Sequence, residues 1–234
     1  MKKVSKLFTI TTVLVLVSQL SFAQGIKIYG NVTDGDGNPI PFASVYIDAT
    51  SYGTSTNDEG LYELTLPKEL KKIELIASMV GYEAKKNTIE TLSNLRGEFN
   101  ITLKSTMLDE AIVQAKMDRF WRKKWKVFRN GLLGEVSPNR NYVFENRDKI
   151  KLSYDKDDKF VFAESKEPFY ILNETLGYKI KVDLQYFRSD GIYTKFSAYK
   201  YFEENLSEDS GIRKQQIANR ENVYYQSMRH LLVS

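Results

Sequence analysis

From Gly25 to about Ser105 the chain alternates apolar and polar positions with a period of two. In IKIYGNV, Ile26, Ile28 and Val32 oppose Lys27, Tyr29 and Asn31; in FASVYID, Ala43, Val45 and Ile47 oppose Ser44, Tyr46 and Asp48. Such alternation puts one set of side chains in a core and the other in water, so each stretch predicts a half-buried strand. GLYELTL places Tyr62, Leu64 and Leu66 on one face, KKIELIASM is a further apolar run, and EFNITLK groups Phe99, Ile101 and Leu103. The clusters DGDGNP, SYGTSTNDEG, PKEL and VGYE fall between them as turns, with no helical period anywhere in the region. Short strands at this spacing predict a small β-sandwich.

After Met117 the pattern changes. MDRFWRKKWKVFRNGLLG sets Trp121, Trp125, Phe128 and Leu132 along one helical stripe, with Lys116, Arg119, Arg122, Lys123 and Lys126 mainly on the other side. The stripe reads as core and the charged side as a solvated face. The other use of such a helix is to lie on an anionic membrane surface. KIKLSYDKDDKFVFAES predicts a hairpin about Lys156 to Asp158, and Tyr193 to Phe202 a third strand. PFYILNETLGYKIKVDLQYF fits strand, turn and strand with Gly177 at the tight point, or a helix around Leu176 to Phe187; periodicity leaves both open. SGIRKQQIANRENVYYQSMRHLL consists of good helix formers and predicts a helix. The later region holds 21 of the chain's 30 aromatic residues, which marks it as a second domain.

The start of the chain changes how its charge is read. MKKVSKLFTITTVLVLVSQLSFAQ has a basic head, an apolar run from Leu7 to Leu20, and small residues at Ser21 and Ala23, the features of an export signal cleaved before Gln24. The run is shorter than the roughly 20 residues that span a bilayer. The whole chain has 34 Lys and Arg against 30 Asp and Glu. Without Lys2, Lys3 and Lys6 the balance is 31 against 30, a net charge of +1, which disfavours nucleic acid as a partner.

Candidate chemistry is sparse. There is no cysteine and only His230 as an imidazole, so thiol catalysis is excluded and a zinc centre built on two or three histidines has too few ligands. Neither a phosphate-cradling G-x-x-x-x-G-K nor a G-x-G-x-x-G is present. NVTDGDGNPIPFASVYI opens like a calcium loop at Asp34, Asp36 and Asn38, but such a loop needs glycine at its sixth position and glutamate at its twelfth, where Pro39 and Val45 stand. It therefore predicts a turn between strands. Ser227 and His230 share a helical face, with Arg220 and Glu221 about two turns upstream, the residue types of a serine hydrolase. No glycine elbow surrounds Ser227, and a packing role suits both residues better.

The residues GNVTDGDGNPIPFASVYI, GTSTNDEGLYEL and SMVGYE resemble the carboxypeptidase regulatory-like domain, a transthyretin-type sandwich found beside metallocarboxypeptidases and at the front of many TonB-dependent outer-membrane receptors. The likeness covers about residues 25–105 and implies a non-catalytic module. TMLDEAIVQA, residues 106–115, is similar to the segment that follows the module in those receptors. The later stretches EPFYILNETLGYKI and NRENVYYQSMRHLL resemble the downstream region of small exported proteins that carry the same module. In that pattern an aromatic residue follows the histidine and the chain continues, whereas Leu231 follows here, so a C-terminal truncation is expected.

The expectations are these. Residues 1–23 form a signal peptide, 24–105 a transthyretin-like all-β sandwich, 106–115 a linker strand, and 116–234 a smaller α+β domain with an antiparallel sheet and two or more helices. The function is non-catalytic binding or scaffolding in the bacterial cell envelope, in the periplasm or at the outer membrane, with no cofactor and no metal. Partners are an envelope protein, a peptide or a glycan, with contact to a membrane surface as a further option. The alternatives are a receptor-derived fragment that docks on a β-rich partner through residues 108–115, and a serine hydrolase.

Overall fold

A computed structural model of the chain describes residues 25–225 apart from 69, 71, 91–96, 107–119, 135–140 and 158. The first unit contains ten strands: β1 (Ile26–Thr33), β2 (Ser44–Ile47), β3 (Gly53–Ser55), β4 (Leu61–Leu66), β5 (Ile73–Ser78), β6 (Tyr82–Glu83), β7 (Lys85–Ile89), β8 (Gly97–Glu98), β9 (Ile101–Thr102) and β10 (Lys104–Ser105). One sheet has β4 antiparallel to β1, with β8 and β9 adding parallel along the other side of β1; the second has the order β3-β2-β5-β7; β6 and β10 form a small ribbon. Ile28, Val32, Val45, Leu64, Leu66, Leu75, Ala77, Ile101 and Leu103 fill the space between the two sheets. This is the sandwich that the alternation in β1 and β4 predicts. Gly30 in β1 permits its close approach to Phe99, whose backbone any Cβ there would strike.

Two details depart from the sequence reading. SYGTSTNDEG, expected as one turn, contains β3, which adds to the edge of the second sheet. Tyr46, expected on the solvated face of β2, is 1% exposed. In β5 the pattern is buried on both faces, with Ile76 and Ser78 covered as fully as Leu75 and Ala77. The second sheet of the sandwich is therefore covered on its outer side as well.

What covers it is a six-stranded antiparallel sheet formed by β11 (Tyr142–Glu145), β12 (Ile150–Tyr154), β13 (Val161–Ser165), β14 (Phe169–Asn173), β15 (Tyr178–Ser189) and β16 (Thr194–Glu204). The long β15 pairs with β14 and then β13 along one side and with β16 along the other. The 173–178 segment is thus strand, turn and strand, with Gly177 at φ +62°, and the helical alternative for Leu176 to Phe187 is not adopted. A bulge at Gln185 shifts the register, so that Val182 and Leu184 before it and Phe187 and Ser189 after it face the same side.

Helix α1 (Trp121–Leu133) packs on that side. Its stripe is core, as its spacing predicts: Phe128 is fully buried, with ring centroids of Phe187 at 4.9 Å and Phe169 at 6.1 Å, and Trp125 stands edge-on to Phe144 at 4.9 Å. Helix α2 (Ser210–Tyr225) follows β16, with Gln216 as its one buried side chain among the described residues. The layers run sandwich sheet, sandwich sheet, six-stranded sheet, helix.

Candidate functional site

The chemistry-bearing side chains gather where the sandwich meets the six-stranded sheet. Lys181 and Asp183 are two apart on β15 and so share a face, the one opposite α1. Asp183 accepts a hydrogen bond from the Ser78 hydroxyl of β5 at 2.7 Å and another from the Gln185 amide at 3.0 Å. The Lys181 ammonium lies 5.5 Å from the centroid of the Tyr46 ring, and the Tyr201 ring lies 5.2 Å from the same centroid. Gly53 leaves room for Tyr201, whose ring a Cβ at residue 53 would meet at 2.6 Å.

The rim of this cluster is tied by backbone. Lys200 N donates to the Asp48 carboxylate at 2.7 Å, Ala49 N to Lys200 O at 2.7 Å, and Phe202 N to Thr50 O at 3.0 Å. Residues 48–50 thereby act as a short parallel addition to the outer edge of β16, sealing an edge that would otherwise be free.

Burial shifts Asp183, Lys181 and Tyr46. It raises the Asp183 carboxyl above its usual range against the lowering effect of Ser78, Lys181 and Gln185, and it lowers the Lys181 ammonium against the opposite pull of Asp183 and Glu203. The Tyr46 phenol is raised by burial and then by the charges of Asp183 and Asp48. Its hydroxyl has no hydrogen-bond partner among the described residues. Tyrosine, lysine and carboxylate together are the materials of general acid–base chemistry. Tyr46 and Lys181 are closed between the two sheets, at 1% and 5% exposure, while Asp183 beside them is only partly buried.

A second polar constellation holds α2. Gln216 accepts from Ser207 N at 2.9 Å and donates to Glu174 O at 2.9 Å; Asn219 donates to Thr175 O at 3.0 Å. Arg220 donates to Leu176 O at 2.6 Å, to Gly177 O at 2.7 Å and to Glu204 at 2.6 Å, and its guanidinium stacks 3.8 Å above Tyr178. The turn between β14 and β15 presents its carbonyls to the helix, and positive φ at Gly177 turns them outward. A cleft beside it is lined by Asn173, Thr175, Leu176, Asn219, Asn222 and Val223.

The residues singled out from sequence fall as follows. Asp34 accepts from Asp36 N and Asn38 N, both at 2.9 Å, and from the Asn38 amide at 3.0 Å, the pattern of an Asx turn, with Gly37 at φ +85°. Those bonds hold its carboxyl below the usual range, the Asn38 side chain being the largest cause. The described residues contain no group of three or more His, Asp or Glu placed to hold a metal. Arg220 belongs to the α2 clamp, Glu221 is exposed, and Ser227, His230 and the 108–115 strand lie outside the described residues. Tyr46, Ser78, Lys181 and Asp183 were not legible as a cluster, because lone polar residues in strands read as solvated.

These elements define a protein of two β units fused through a buried polar junction. Residues 28–113, which include the sandwich strands from β2 to β10, match the family model of the CarboxypepD_reg-like domain, and the six-stranded sheet lies beyond the match. No curated protein matches the chain. Two solved structures show similarity. One is the C-terminal domain of the Caf1A usher, 16% identical, with 34% of this chain and 97% of that chain covered at a TM-score of 0.24. The other is a DUF3823 family protein from Bacteroides ovatus, 10% identical, with 80% of this chain and 83% of that chain covered at a TM-score of 0.27.

Proposed function

We propose that the protein is a non-catalytic binding or scaffolding component of the bacterial cell envelope, exported by its leader and retained in the periplasm or at the outer membrane. The observation that carries this reading is the place of Tyr46, Lys181 and Asp183 in the junction: the groups best suited to acid–base chemistry hold two sheets together, with Tyr46 and Lys181 buried and Asp183 tied to Ser78. The CarboxypepD_reg-like sandwich supports an envelope setting. Exposed aromatic residues such as Tyr186 and Phe196 on the six-stranded sheet and Tyr193 in the turn between β15 and β16 offer contact area for an envelope protein, a peptide or a glycan. Fractionation of cells, with mass measurement of both termini of the captured chain, tests it. Recovery in the envelope fraction with Gln24 first is expected. Recovery in the cytoplasm with the leader intact, or turnover of esters or peptides by pure protein, would contradict it.

A further inference from the structure

We propose that the outward face of α1 is an electrostatic docking surface for anionic lipid headgroups. The helix carries Arg122, Lys123, Lys124, Lys126 and Arg129 and no acidic residue in its 13 positions. The chain without its leader holds 31 basic and 30 acidic residues; taking away these five leaves 26 against 30. The helix therefore carries five positive charges against a net of +1 for the processed chain, and the remainder is net −4.

The arrangement works against the helix itself. Arg122 and Lys126 are four apart, and Lys126 is three from both Lys123 and Arg129, spacings at which like charges repel. Three cations occupy the first turn, where the helix dipole favours anions, and Phe120 provides no side-chain cap. Lys124 is anchored by donation to Leu152 O at 3.2 Å, but Arg122, Lys123, Lys126 and Arg129 make no ion pair among the described residues. Arg147 adds a further cation at the rim, over the stacked indoles of Trp121 and Trp125 at 5.3 and 5.6 Å. Among the described residues no carboxylate pairs with Arg122, Lys123, Lys126 or Arg129, so their charge is presented to solvent.

The shape selects the partner. With Trp121, Trp125, Phe128 and Leu132 turned into the core, the cationic side is a convex ridge about 20 Å long. A ridge suits a flat charged plane. A long polyanion that wraps the molecule would meet the acidic remainder, whereas a plane touches only the ridge and is screened from the rest beyond about 10 Å. The tryptophans are half-buried against the core and covered by Arg147, so the contact is peripheral and without insertion.

The test is co-sedimentation of the processed chain with vesicles of phosphatidylcholine alone or mixed with phosphatidylglycerol, at low and high salt. Binding to the anionic vesicles only, lost at high salt, is expected. Lys123→Glu with Lys126→Glu should weaken it by at least about 25-fold, at about fivefold per cation near an anionic surface. Lys151→Glu with Lys195→Glu, away from α1, should leave it unchanged. Circular dichroism and melting temperature confirm folding, and Arg122→Gln with Arg129→Gln is the second variant should the first fail to fold. Equal binding to both vesicle types, no binding at low salt, indifference to the α1 substitutions, or a DNA duplex bound as tightly as the vesicles would each overturn the proposal. Its outcome is independent of whether the chain is catalytic.

Discussion

Tyr46 offers a perturbation whose sign is opposite to that of most core substitutions. Its ring is packed against Tyr201 and beneath Lys181, and Phe would keep those contacts, while its hydroxyl is buried with no partner among the described residues. An unsatisfied buried hydroxyl costs about 1–3 kcal/mol, so Tyr46→Phe should raise stability at neutral pH by about 1 kcal/mol or more. For a chain of this size that corresponds to roughly 2–4 °C in Tm for each kcal/mol. The same substitution should change the alkaline limb. The folded-state pKa of Tyr46 is raised above its ordinary 10.0, so above pH 10 the unfolded chain binds fewer protons than the folded one. Stability then falls as pH rises, at about 1.4 kcal/mol per pH unit for this one group. Tyr62, also raised by burial, contributes in the same direction. Urea unfolding at pH 8, 10 and 11 reads both effects: the variant should be more stable at pH 8 and should show a shallower loss above pH 10. A variant that loses more than about 1 kcal/mol at pH 8 would mean that the hydroxyl is hydrogen-bonded. An unchanged alkaline slope would mean that the ring is open to water, and the sealed junction would be wrong.

Two further substitutions probe the other contacts. Arg220→Ala removes three donated hydrogen bonds and the stack on Tyr178, so it should cost about 2 kcal/mol or more and speed hydrogen exchange in α2 while β13 to β15 stay protected; Arg220→Lys, lacking the planar fork, should recover only part. Uniform exchange across both elements would show that α2 is not held by this clamp. Gly53→Val should cost about 1–3 kcal/mol by driving a side chain into the Tyr201 ring, whereas Gly35→Ala, with open space around it, should change little by urea unfolding.

The sandwich was largely legible in the sequence because β1 and β4 have one wet face, and one wet face writes itself as alternation. The stripe of α1 was legible for the same reason at period 3.6. The junction was not. A sheet covered on both sides loses its alternation, so KKIELIASM appeared only as an apolar run, and the covering face of β15 carries Lys181 and Asp183, which by themselves suggest water. β11 escaped because YVFE is only four residues long and too short to show a period. The docking of α2 left no periodic trace, since it rests on Gln216, Asn219 and Arg220 reaching backbone carbonyls, and those carbonyls belong to every residue type. The bulge at Gln185, which exchanges the faces of β15 midway, also hid which aromatic residues point inward.

The account rests on the sandwich and the six-stranded sheet being one cooperative body joined through Ser78, Asp183, Lys181 and Tyr46. Scanning calorimetry of residues 24–234 tests this most directly. A single transition is predicted, with calorimetric and van't Hoff enthalpies in agreement, which Ser78→Ala shifts as a whole to lower temperature by leaving Asp183 one donor short. Two transitions in the unaltered chain, with neither moved by Ser78→Ala, would contradict it.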